Sequence, residues 1–352
     1  MKIKKIAPLV IIGIGALLYS IINTNGESET TITDNDMKVN INLTEAIIGF
    51  YNVENLFDIY DDPNTFDDDF TPDGKQNWDT KRYQTKLKQI GEMISSIDSD
   101  QLPAVMGFSE VENYDVLKDL TKVKALKKAG YEVIHKDSPD GRGIDVAAIY
   151  RPEAFKAEKY SFYNVILPGK DKSTTRDILE IKGELSNGEK VVIYFNHWSS
   201  RRKGTIETEP KRIAAAKVLR SKIDDVLSEN AEANIFILGD FNDEPSDNSI
   251  KKHLVKKDFA NLSSQFEDTK NGTVNHQGDW LVFDQVIASN SAMRNPVFKL
   301  TQRSTQIHKT HENTFTHKDG NQTPSRTYGG EKYYGGYSDH YPVYLTLKLK
   351  NP

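Results

Sequence analysis

The sequence predicts an α/β fold in one domain, with helices on the outer faces of β-sheets. Short apolar runs recur from residue 46 onward, and two longer segments repeat apolar residues every three to four positions. Helical patterns separate some of the runs but not all of them, which indicates sheets covered by helices rather than a strict alternation. The chain has 352 residues, 37% of them hydrophobic, which is enough for a large core.

The predicted strands are mostly continuous in apolar residues, which is typical of strands covered on both faces. They are the segments 46–52, 104–110, 131–135, 145–150, 191–197, 234–240, 283–289 and 341–347. The segment 177–183, DILEIKG, alternates apolar and polar residues, so it predicts a half-exposed strand.

Two helices are predicted from apolar residues at three-to-four spacing, over 82–97 and 211–227. Pro210 stands just before the second of them, at a position where a helix start tolerates proline.

The N-terminus predicts export. Lys2, Lys4 and Lys5 precede an apolar run from Ile6 to Ile22, and a basic stretch before such a run marks exported proteins. The run is at the lower edge of a spanning helix (about 17–25 residues) and no clean cleavage site follows it. For residues 1–22, a cleaved signal peptide and an uncleaved membrane anchor therefore both stay open, and a buried helix is the third alternative. Residues 23–42 are polar and predict a linker, which leaves 43–352 as the domain.

Composition excludes some classes of function. The net charge is −5, so no strongly basic domain indicates nucleic-acid binding, although a local basic rim would suffice for a nuclease. Cysteine is absent, which excludes disulfides, zinc–thiolate sites and a cysteine nucleophile.

Polar side chains stand at the ends of several predicted strands. They are Asn52, Glu110, Asn196, His197, Asp240, Asn242, Asp284, Asp339 and His340. Each alone is common at a turn. Together they predict one edge of a sheet, where strand ends converge and ligands bind. Carboxylate and amide oxygens without cysteine suit Mg²⁺ or Mn²⁺, and histidines beside such an ion are suited to hydrolysing a phosphate ester.

The order and spacing of these motifs resemble the endonuclease/exonuclease/phosphatase superfamily, the fold of DNase I and of exonuclease III-type nucleases. The matching stretches are FYNVENLFD (50–58), GFSEVEN (107–113), RGIDVAAIYR (142–151), YFNHWSSRR (194–202), ILGDFNDEP (237–245), FDQVIAS (283–289) and YSDHYP (337–342). The resemblance implies a four-layer sandwich, in which two packed mixed β-sheets are flanked by helices.

The resemblance also implies residue roles. Metal-site roles fall on Asn52, Glu110 and Asp339, with Glu110 as a direct ligand. Catalytic roles fall on His197, Asp240, Asn242, Asp284 and His340. His197 would contact the scissile phosphate and Asp284 would hydrogen-bond the catalytic histidine. Asp240 and His340 both stay open as the general base.

Three further residues are candidate substrate ligands: Arg142, Asn196 and Arg201. Each arginine has the alternative of a solvated loop residue. The acidic segment 58–74 is expected at the mouth of the site, as a solvated loop or a secondary calcium site, where it would repel long polyanions.

We therefore expect an exported, Mg²⁺-dependent phosphoesterase that cleaves phosphodiesters, most readily in nucleic acid, and that is a monomer. A phospholipid or sugar-phosphate phosphatase of the same fold is the first alternative, to which a membrane anchor would be suited. A non-catalytic surface module is the second.

Overall fold

The computed structural model describes residues 18–22, 28–32, 43–169 and 173–350. Its strands are, in chain order, β1 (Leu18–Ile22), β2 (Ser28–Ile32), β3 (Glu45–Leu56), β4 (Val105–Val111), β5 (Glu132–Ile134), β6 (Asp145–Tyr150), β7 (Phe155–Tyr163), β8 (Ile178–Leu185), β9 (Lys190–His197), β10 (Asn234–Asp240), β11 (Phe259–Asn261), β12 (Val274–His276), β13 (Asp279–Leu281), β14 (Asp284–Ser289), β15 (Phe298–Lys299), β16 (Thr305–Ile307), β17 (Thr314–Thr316), β18 (Gln322–Pro324), β19 (Tyr328–Gly329), β20 (Lys332–Tyr333) and β21 (Val343–Leu349). Its α-helices are α1 (Thr80–Ser95), α2 (Tyr114–Lys122), α3 (Thr205–Glu229) and α4 (Asn290–Arg294). A π-helix covers Ser249–Val255, and short 3₁₀ turns cover Asp68–Phe70, Leu262–Phe266 and Gln302–Ser304.

Two large mixed sheets form the centre of the fold. The first has the strand order β1-β2-β7-β8-β9-β10-β14-β11, and the second has β15-β21-β3-β4-β6-β5 with β16 also paired to β21. In the first sheet β9 and β10 are parallel while β14 is antiparallel to β10. In the second, β3 and β4 are parallel while β21 and β6 run antiparallel to them. The predicted mixed sheets are confirmed.

One hydrophobic cluster lies between the two sheets and explains their packing. Phe50 of β3, Phe195 of β9 and Leu238 of β10 are fully buried in it. The rings of Phe50 and Phe195 are stacked with centroids 6.3 Å apart. Gly107 of β4 leaves room for this contact, because a Cβ there would lie 2.1 Å from the ring of Phe195. The inner faces of both sheets therefore meet at van der Waals distance.

Helices cover the outer faces, as the four-layer prediction requires. α1 and α2 pack on the second sheet through residues such as Leu87 and Leu117. α3 packs on the first sheet through residues such as Leu219 and Ile223. Asp79 caps the start of α1 by accepting a hydrogen bond from the backbone N–H of Arg82 at 2.9 Å.

The start of the second predicted helix was wrong. Helix α3 begins at Thr205, so Pro210 lies inside it rather than before it. Proline removes one backbone hydrogen bond in such a position. The buried guanidinium of Arg212 donates to the carbonyl of Thr205 at 2.9 Å and to the hydroxyl of Thr208 at 2.7 Å, which holds these first turns.

The nine predicted strands are all present, with ends shifted by a few residues. The segment 177–183 differs in its burial, however, because β8 lies between β7 and β9 and is mostly buried rather than half-exposed. Strand β7 and the short helices α2 and α4 had no counterpart in the prediction.

The N-terminal predictions fall mainly outside the described residues. Residues 18–22 and 28–32 form strands β1 and β2 at the edge of the first sheet, with β2 paired to β7, so part of the predicted linker is a strand. The remaining residues of the 1–22 and 23–42 segments are not described. None of the helices within the described ranges combines the length and apolar content that a membrane crossing requires.

Candidate active site

The strand registers bring three of the predicted residues into one row. Asp240 at the end of β10 pairs with His197 of parallel β9 on one side and with Asp284 of antiparallel β14 on the other. Residues in register on neighbouring strands point to the same face, with side chains about 5 Å apart. Gly239 permits the close packing here, since a Cβ on it would lie 2.4 Å from the carbonyl oxygen of Asn196.

The second sheet contributes Asn52 from β3 and Glu110 from β4. The amide nitrogen of Asn52 donates to Asp240 Oδ2 at 3.1 Å and lies 3.5 Å from Glu110 Oε1. Its amide oxygen accepts the backbone N–H of Glu54 at 3.0 Å. In this geometry Asn52 acts as a donor beside two carboxylates, and its predicted place in the metal site stays a prediction.

Left-handed backbone places two of these side chains. Glu110 has a φ of 63° and Asn242 has a φ of 49°. Non-glycine residues in this region cost about 1–3 kcal/mol each and persist where the surroundings fix them. Glu110 is fixed by the backbone N–H of Asn55, which donates to its Oε2 at 3.0 Å. Asn242 is fixed by donation from its backbone N–H to Asp240 Oδ1 at 2.9 Å and from its amide to the carbonyl of Trp198 at 3.1 Å.

His340 and Asp284 form a buried pair. His340 Nδ1 lies 2.7 Å from Asp284 Oδ2, and the side chain of Asp284 is fully buried. Burial by itself lowers the pKa of His340, but the carboxylates of Asp284, Asp240 and Asp339 outweigh it and hold the pKa well above the usual value. His340 Nε2 is left facing Asp240 Oδ2 at 4.0 Å. This imidazole is therefore oriented by Asp284 with its second nitrogen in the site.

The pKa of the second histidine, His197, is shifted in the opposite direction. Burial, together with the positive charges of Arg176 and Arg142, lowers the pKa of His197 well below its usual value. Its Nε2 lies 3.6 Å from Asp240 Oδ2 and 3.9 Å from Glu110 Oε1. His197 is a neutral imidazole at the centre of the site, able to donate one hydrogen bond to a ligand.

The carboxylates of the site are buried, which disfavours their charged form. Burial, with the charge of Asp339 next, raises the pKa of Glu110, and burial raises the pKa of Asp240 to about 7. Asp339 is paired with Arg326 at 2.9 Å, through Asp339 Oδ2. Hard oxygen donors fit a divalent cation such as Mg²⁺. Of the predicted ligands, Glu110 lines the cavity but Asp339 does not. Ligand atoms of Asp240, Asp284 and His340 lie within 4.8 Å of one another, so these residues are further candidates to hold the cation.

A second set of carboxylates and a histidine lies outside this site. His135 Nε2 is 2.9 Å from Asp145 Oδ2, and His135 Nδ1 is 3.9 Å from Asp137 Oδ1. The two carboxylates lie on different ring nitrogens, which project from the imidazole in divergent directions. This arrangement fits a structural hydrogen bond better than one shared cation.

A cavity of 390 Å³ opens over the reaction centre. One part of its wall consists of Glu110, His197, Asp240, Asn242 and His340. The rest of the lining is mostly cationic or hydroxyl-bearing and consists of Asp140, Arg142, Leu167, Thr174, Thr175, Arg176, Ser199, Ser200, Arg202, Lys203, Thr208 and Lys211. The cavity thus combines carboxylates and histidines with several cations, a combination suited to an anionic substrate.

Sequence reasoning missed Arg176 in this lining. Arg176 is buried and donates to Asp140 Oδ2 at 3.0 Å and to the carbonyl of Trp198 at 2.5 Å, while its Nε has no hydrogen-bond partner within the described part of the chain. Arg142, which was predicted, shares Asp140 through its Nε at 3.1 Å. Arg176 directly precedes the 177–183 strand, so the polar-strand-end signal that found the other residues was present here too.

Two predicted substrate ligands lie elsewhere. Asn196 is fully buried, donates to the carbonyl of Leu238 at 3.3 Å and accepts from the indole of Trp198 at 3.2 Å. Neighbouring strand residues face opposite sides, so Asn196 cannot share the cavity with His197. Arg201 donates to the carbonyl of Asn242 at 2.8 Å and to Asp243 Oδ1 at 2.7 Å. The contacts of Arg201 hold the loop after β10, and those of Asn196 tie the end of β9 to β10.

A family model described as the endonuclease/exonuclease/phosphatase family matches residues 47–349. Among solved structures, a D. rerio TDP2 humanised by 14 mutations is 16% identical with a TM-score of 0.55, covering 87% of this chain and 99% of its own. The human Nocturnin catalytic domain with bound sulfate is 14% identical with a TM-score of 0.53, covering 89% and 96%. A mannosyl-6-phosphatase of Bacteroides thetaiotaomicron is 16% identical with a TM-score of 0.53, covering 86% and 99%.

No curated protein sequence matches the chain. At sequence identities of 14–16%, the solved structures establish the fold alone. Membership of the family is shown by the family model, because it matches most of the chain. The protein belongs to the endonuclease/exonuclease/phosphatase family, whose members are hydrolases of ester bonds that typically depend on a divalent metal.

Proposed function

We propose that the protein is an exported phosphoesterase that uses Mg²⁺ to hydrolyse phosphodiester bonds in nucleic acid. The observation that carries the proposal is the convergence of Glu110, His197, Asp240, Asn242 and His340 on one cavity that several cations also line. When bound, the cation supplies positive charge to the phosphoryl oxygens and to the leaving oxygen.

The chain's own residues divide the remaining work. His197, being neutral, and Asn242 donate hydrogen bonds to the scissile phosphate. Asp240, with its pKa raised by burial to about 7, accepts the proton of the attacking water, since a base works best when its pKa is near the working pH. His340, held cationic by Asp284, stabilises negative charge in the transition state.

The cations that line the cavity support a polyanionic substrate. Arg142 and Arg176 both line the cavity that holds His197, which supports a role for them in binding a phosphate oxygen. Arg202, Lys203 and Lys211 line the same cavity and are candidates to bind a flanking phosphate of a nucleic acid. The D. rerio TDP2 structure complexed with a single-strand DNA product is consistent with this substrate class.

A sugar-phosphate or phospholipid phosphatase is the second candidate, and the acidic segment 58–74 favours it. This segment contacts the chain next to the cavity residue Arg142, because the backbone N–H of Phe66 donates to the carbonyl of Gly141 at 2.8 Å. Its carboxylates would repel a long polyanion but would tolerate a compact phosphate ester. The structural likeness to a mannosyl-6-phosphatase agrees with this reading.

Export, attachment to a membrane through residues 1–22 and a monomeric state stay predictions from the sequence. The support for export is the basic stretch at Lys2, Lys4 and Lys5 before the apolar run. Fractionation of the native host's cells, with immunodetection of the chain, separates the alternatives. A secreted or periplasmic product indicates a cleaved signal, a membrane fraction indicates an anchor, and a cytoplasmic product contradicts export.

A substrate screen tests the proposed activity. The full chain is assayed on single-stranded DNA, duplex DNA, RNA, sugar monophosphates and phospholipids, each with Mg²⁺ and with EDTA. Faster Mg²⁺-dependent turnover of nucleic acid supports the proposal, and faster turnover of a monoester or a lipid establishes the second candidate. Absent turnover throughout, while His340→Ala behaves like the wild type, would favour a non-catalytic surface module.

A further inference from the structure

Two buried side chains of opposite charge type, Glu54 and Lys86, do not line the cavity. Glu54 of β3 is 5% exposed and Lys86 of α1 is 1% exposed. Charged side chains are almost never buried this deeply unless they are paired and hydrogen-bonded. Both make their hydrogen bonds to the same stretch of chain, residues 326–340, which ends in Asp339 and His340. We call this stretch the dyad segment.

Glu54 holds the start of the dyad segment. Its carboxylate accepts the backbone N–H of Thr327 at 2.6 Å and that of Tyr328 at 3.3 Å. Glu54 and Asn55 both adopt left-handed backbone, with φ of 49° and 57°, where the pairing of β3 with β4 becomes irregular. The chain tolerates this conformation where it directs the Glu54 carboxylate at the two amides.

Lys86 holds both ends of the dyad segment to helix α1. Its ammonium group donates to the hydroxyl of Thr327 at 2.5 Å and to the carbonyl of Tyr337 at 2.7 Å. One turn further along the helix, the amide of Gln89 donates to the carbonyl of Gly335 at 2.8 Å. The segment is therefore clamped before and after its glycine-rich bend.

The clamped segment connects directly to the reaction centre. The hydroxyl of Ser338 donates to the carbonyl of Asn52 at 2.7 Å and accepts the backbone N–H of His340 at 3.1 Å. Arg326, whose Nε lies 3.9 Å from Glu54 Oε1, pairs with Asp339 Oδ2 at 2.9 Å. A displacement at residue 327 or 337 would therefore move Asp339 and His340 with respect to Asn52.

We propose that Glu54 and Lys86 are positioning residues that hold the dyad segment so that Asp339 and His340 face the metal-binding carboxylate of Glu110. The proposal rests on the function proposed above for Asp339 and His340. Neither Glu54 nor Lys86 lines the cavity, and both are buried. Their contribution is to orient residues that do the binding, and loss of such support typically costs about 10- to 100-fold in metal affinity or activity.

The test compares Glu54→Gln and Lys86→Met with the control Lys88→Met, which alters an exposed residue of the same helix. Gln89→Ala removes the outer clamp from a half-buried position and serves as the milder variant should the buried ones fail to fold. Each full chain is examined by hydrogen–deuterium exchange without metal and by calorimetric titration with Mg²⁺. We expect faster exchange confined to the dyad segment and a Mg²⁺ Kd weaker by about tenfold, with Lys88→Met unchanged.

Two results would overturn the inference. One is native exchange in the dyad segment together with a native Mg²⁺ Kd in Glu54→Gln and Lys86→Met. The other is a melting temperature that falls while Mg²⁺ affinity is kept, which indicates a purely structural pair. Exchange in the dyad segment does not require turnover, so failure of the proposed function, seen as no hydrolysis by the wild type, is distinguishable from failure of this inference.

Discussion

Replacing Asp284 by asparagine separates orientation of His340 from its charge. Asparagine keeps the size of the side chain and an oxygen that can accept the hydrogen bond from His340 Nδ1, which spans 2.7 Å in the structure. The negative charge is lost, and because the side chain of Asp284 is fully buried, no solvent replaces it. The variant therefore removes the main reason why the His340 imidazole is protonated.

The magnitude follows from the burial of this pair. A hydrogen bond to a charged group contributes about 1.5–3 kcal/mol, and removing one partner of a buried ion pair costs about 3–5 kcal/mol. Asparagine retains part of the contact, which places the loss at about 2–4 kcal/mol of transition-state stabilisation. At about 1.4 kcal/mol for each tenfold, kcat should fall roughly 30- to 1000-fold.

The assay is hydrolysis of a chromogenic phosphodiester by the full chain, with the exposed Asp279→Asn as control. NMR titration of the metal-free proteins follows the His340 ring directly. Its pKa should lie well above the usual histidine value in the wild type and fall toward that value in Asp284→Asn. A decrease in kcat of less than about threefold, or an unchanged pKa of His340, would refute the proposed role of the pair.

The raised pKa of His340 also affects how the stability of the fold depends on pH. A histidine whose folded-state pKa is raised contributes stability that is fully present below its unfolded pKa of about 6.5 and is lost as pH rises through the raised value. The free energy of unfolding of the metal-free wild type should therefore decline as pH rises above about 6.5. Asp284→Asn should flatten this decline, as measured by urea unfolding at several pH values.

The remaining predictions concern substrate binding, acid stability and packing. Arg176→Met should raise KM about tenfold or more with a smaller effect on kcat, since it removes a charged donor from the cavity wall; an unchanged KM in steady-state kinetics would exclude Arg176 from substrate binding. Burial lowers the pKa of His308 to about 4, so this histidine destabilises the fold increasingly as pH falls from about 6.5 towards 4. His308→Gln should therefore remove about 2 kcal/mol of acid-side destabilisation in urea titrations, a figure discounted for partial exposure, and equal slopes against pH would contradict this. Gly107→Ala should destabilise by about 1–3 kcal/mol because its Cβ would meet the Phe195 ring between the sheets; a melting temperature equal to the wild type would show that the ring moves at no cost.

The strands were predictable because burial on both faces leaves a continuous apolar run in the sequence. The polar residues at the ends of these runs were predictable because they interrupt the apolar pattern. Asp240, for example, is a carboxylate at the end of a fully buried strand. Register then decides which ends meet. The pairing of Asp240 with His197 and Asp284 depends on strand order, which one sequence does not contain.

The errors share a physical cause. Asn196 was placed in the site by its nearness to His197 in sequence, although alternation along β9 turns the two side chains to opposite faces. Arg201 was placed there by the basic run around it, although Asp243 and Asp247 bind its guanidinium. Glu54 and Lys86 gave no signal, because their burial depends on a segment more than 200 residues away in sequence.

The central claim is that these strand ends form a metal-dependent phosphoesterase site, and its most direct test is a metal titration of hydrolysis. The rate on a chromogenic phosphodiester is measured against free Mg²⁺ for the EDTA-treated full chain and for Glu110→Gln. The account predicts no turnover without metal, saturable recovery as Mg²⁺ is added, and at least a hundredfold lower rate in Glu110→Gln at the same Mg²⁺. Hydrolysis that is independent of metal, or a Glu110→Gln variant as active as the wild type, would contradict it.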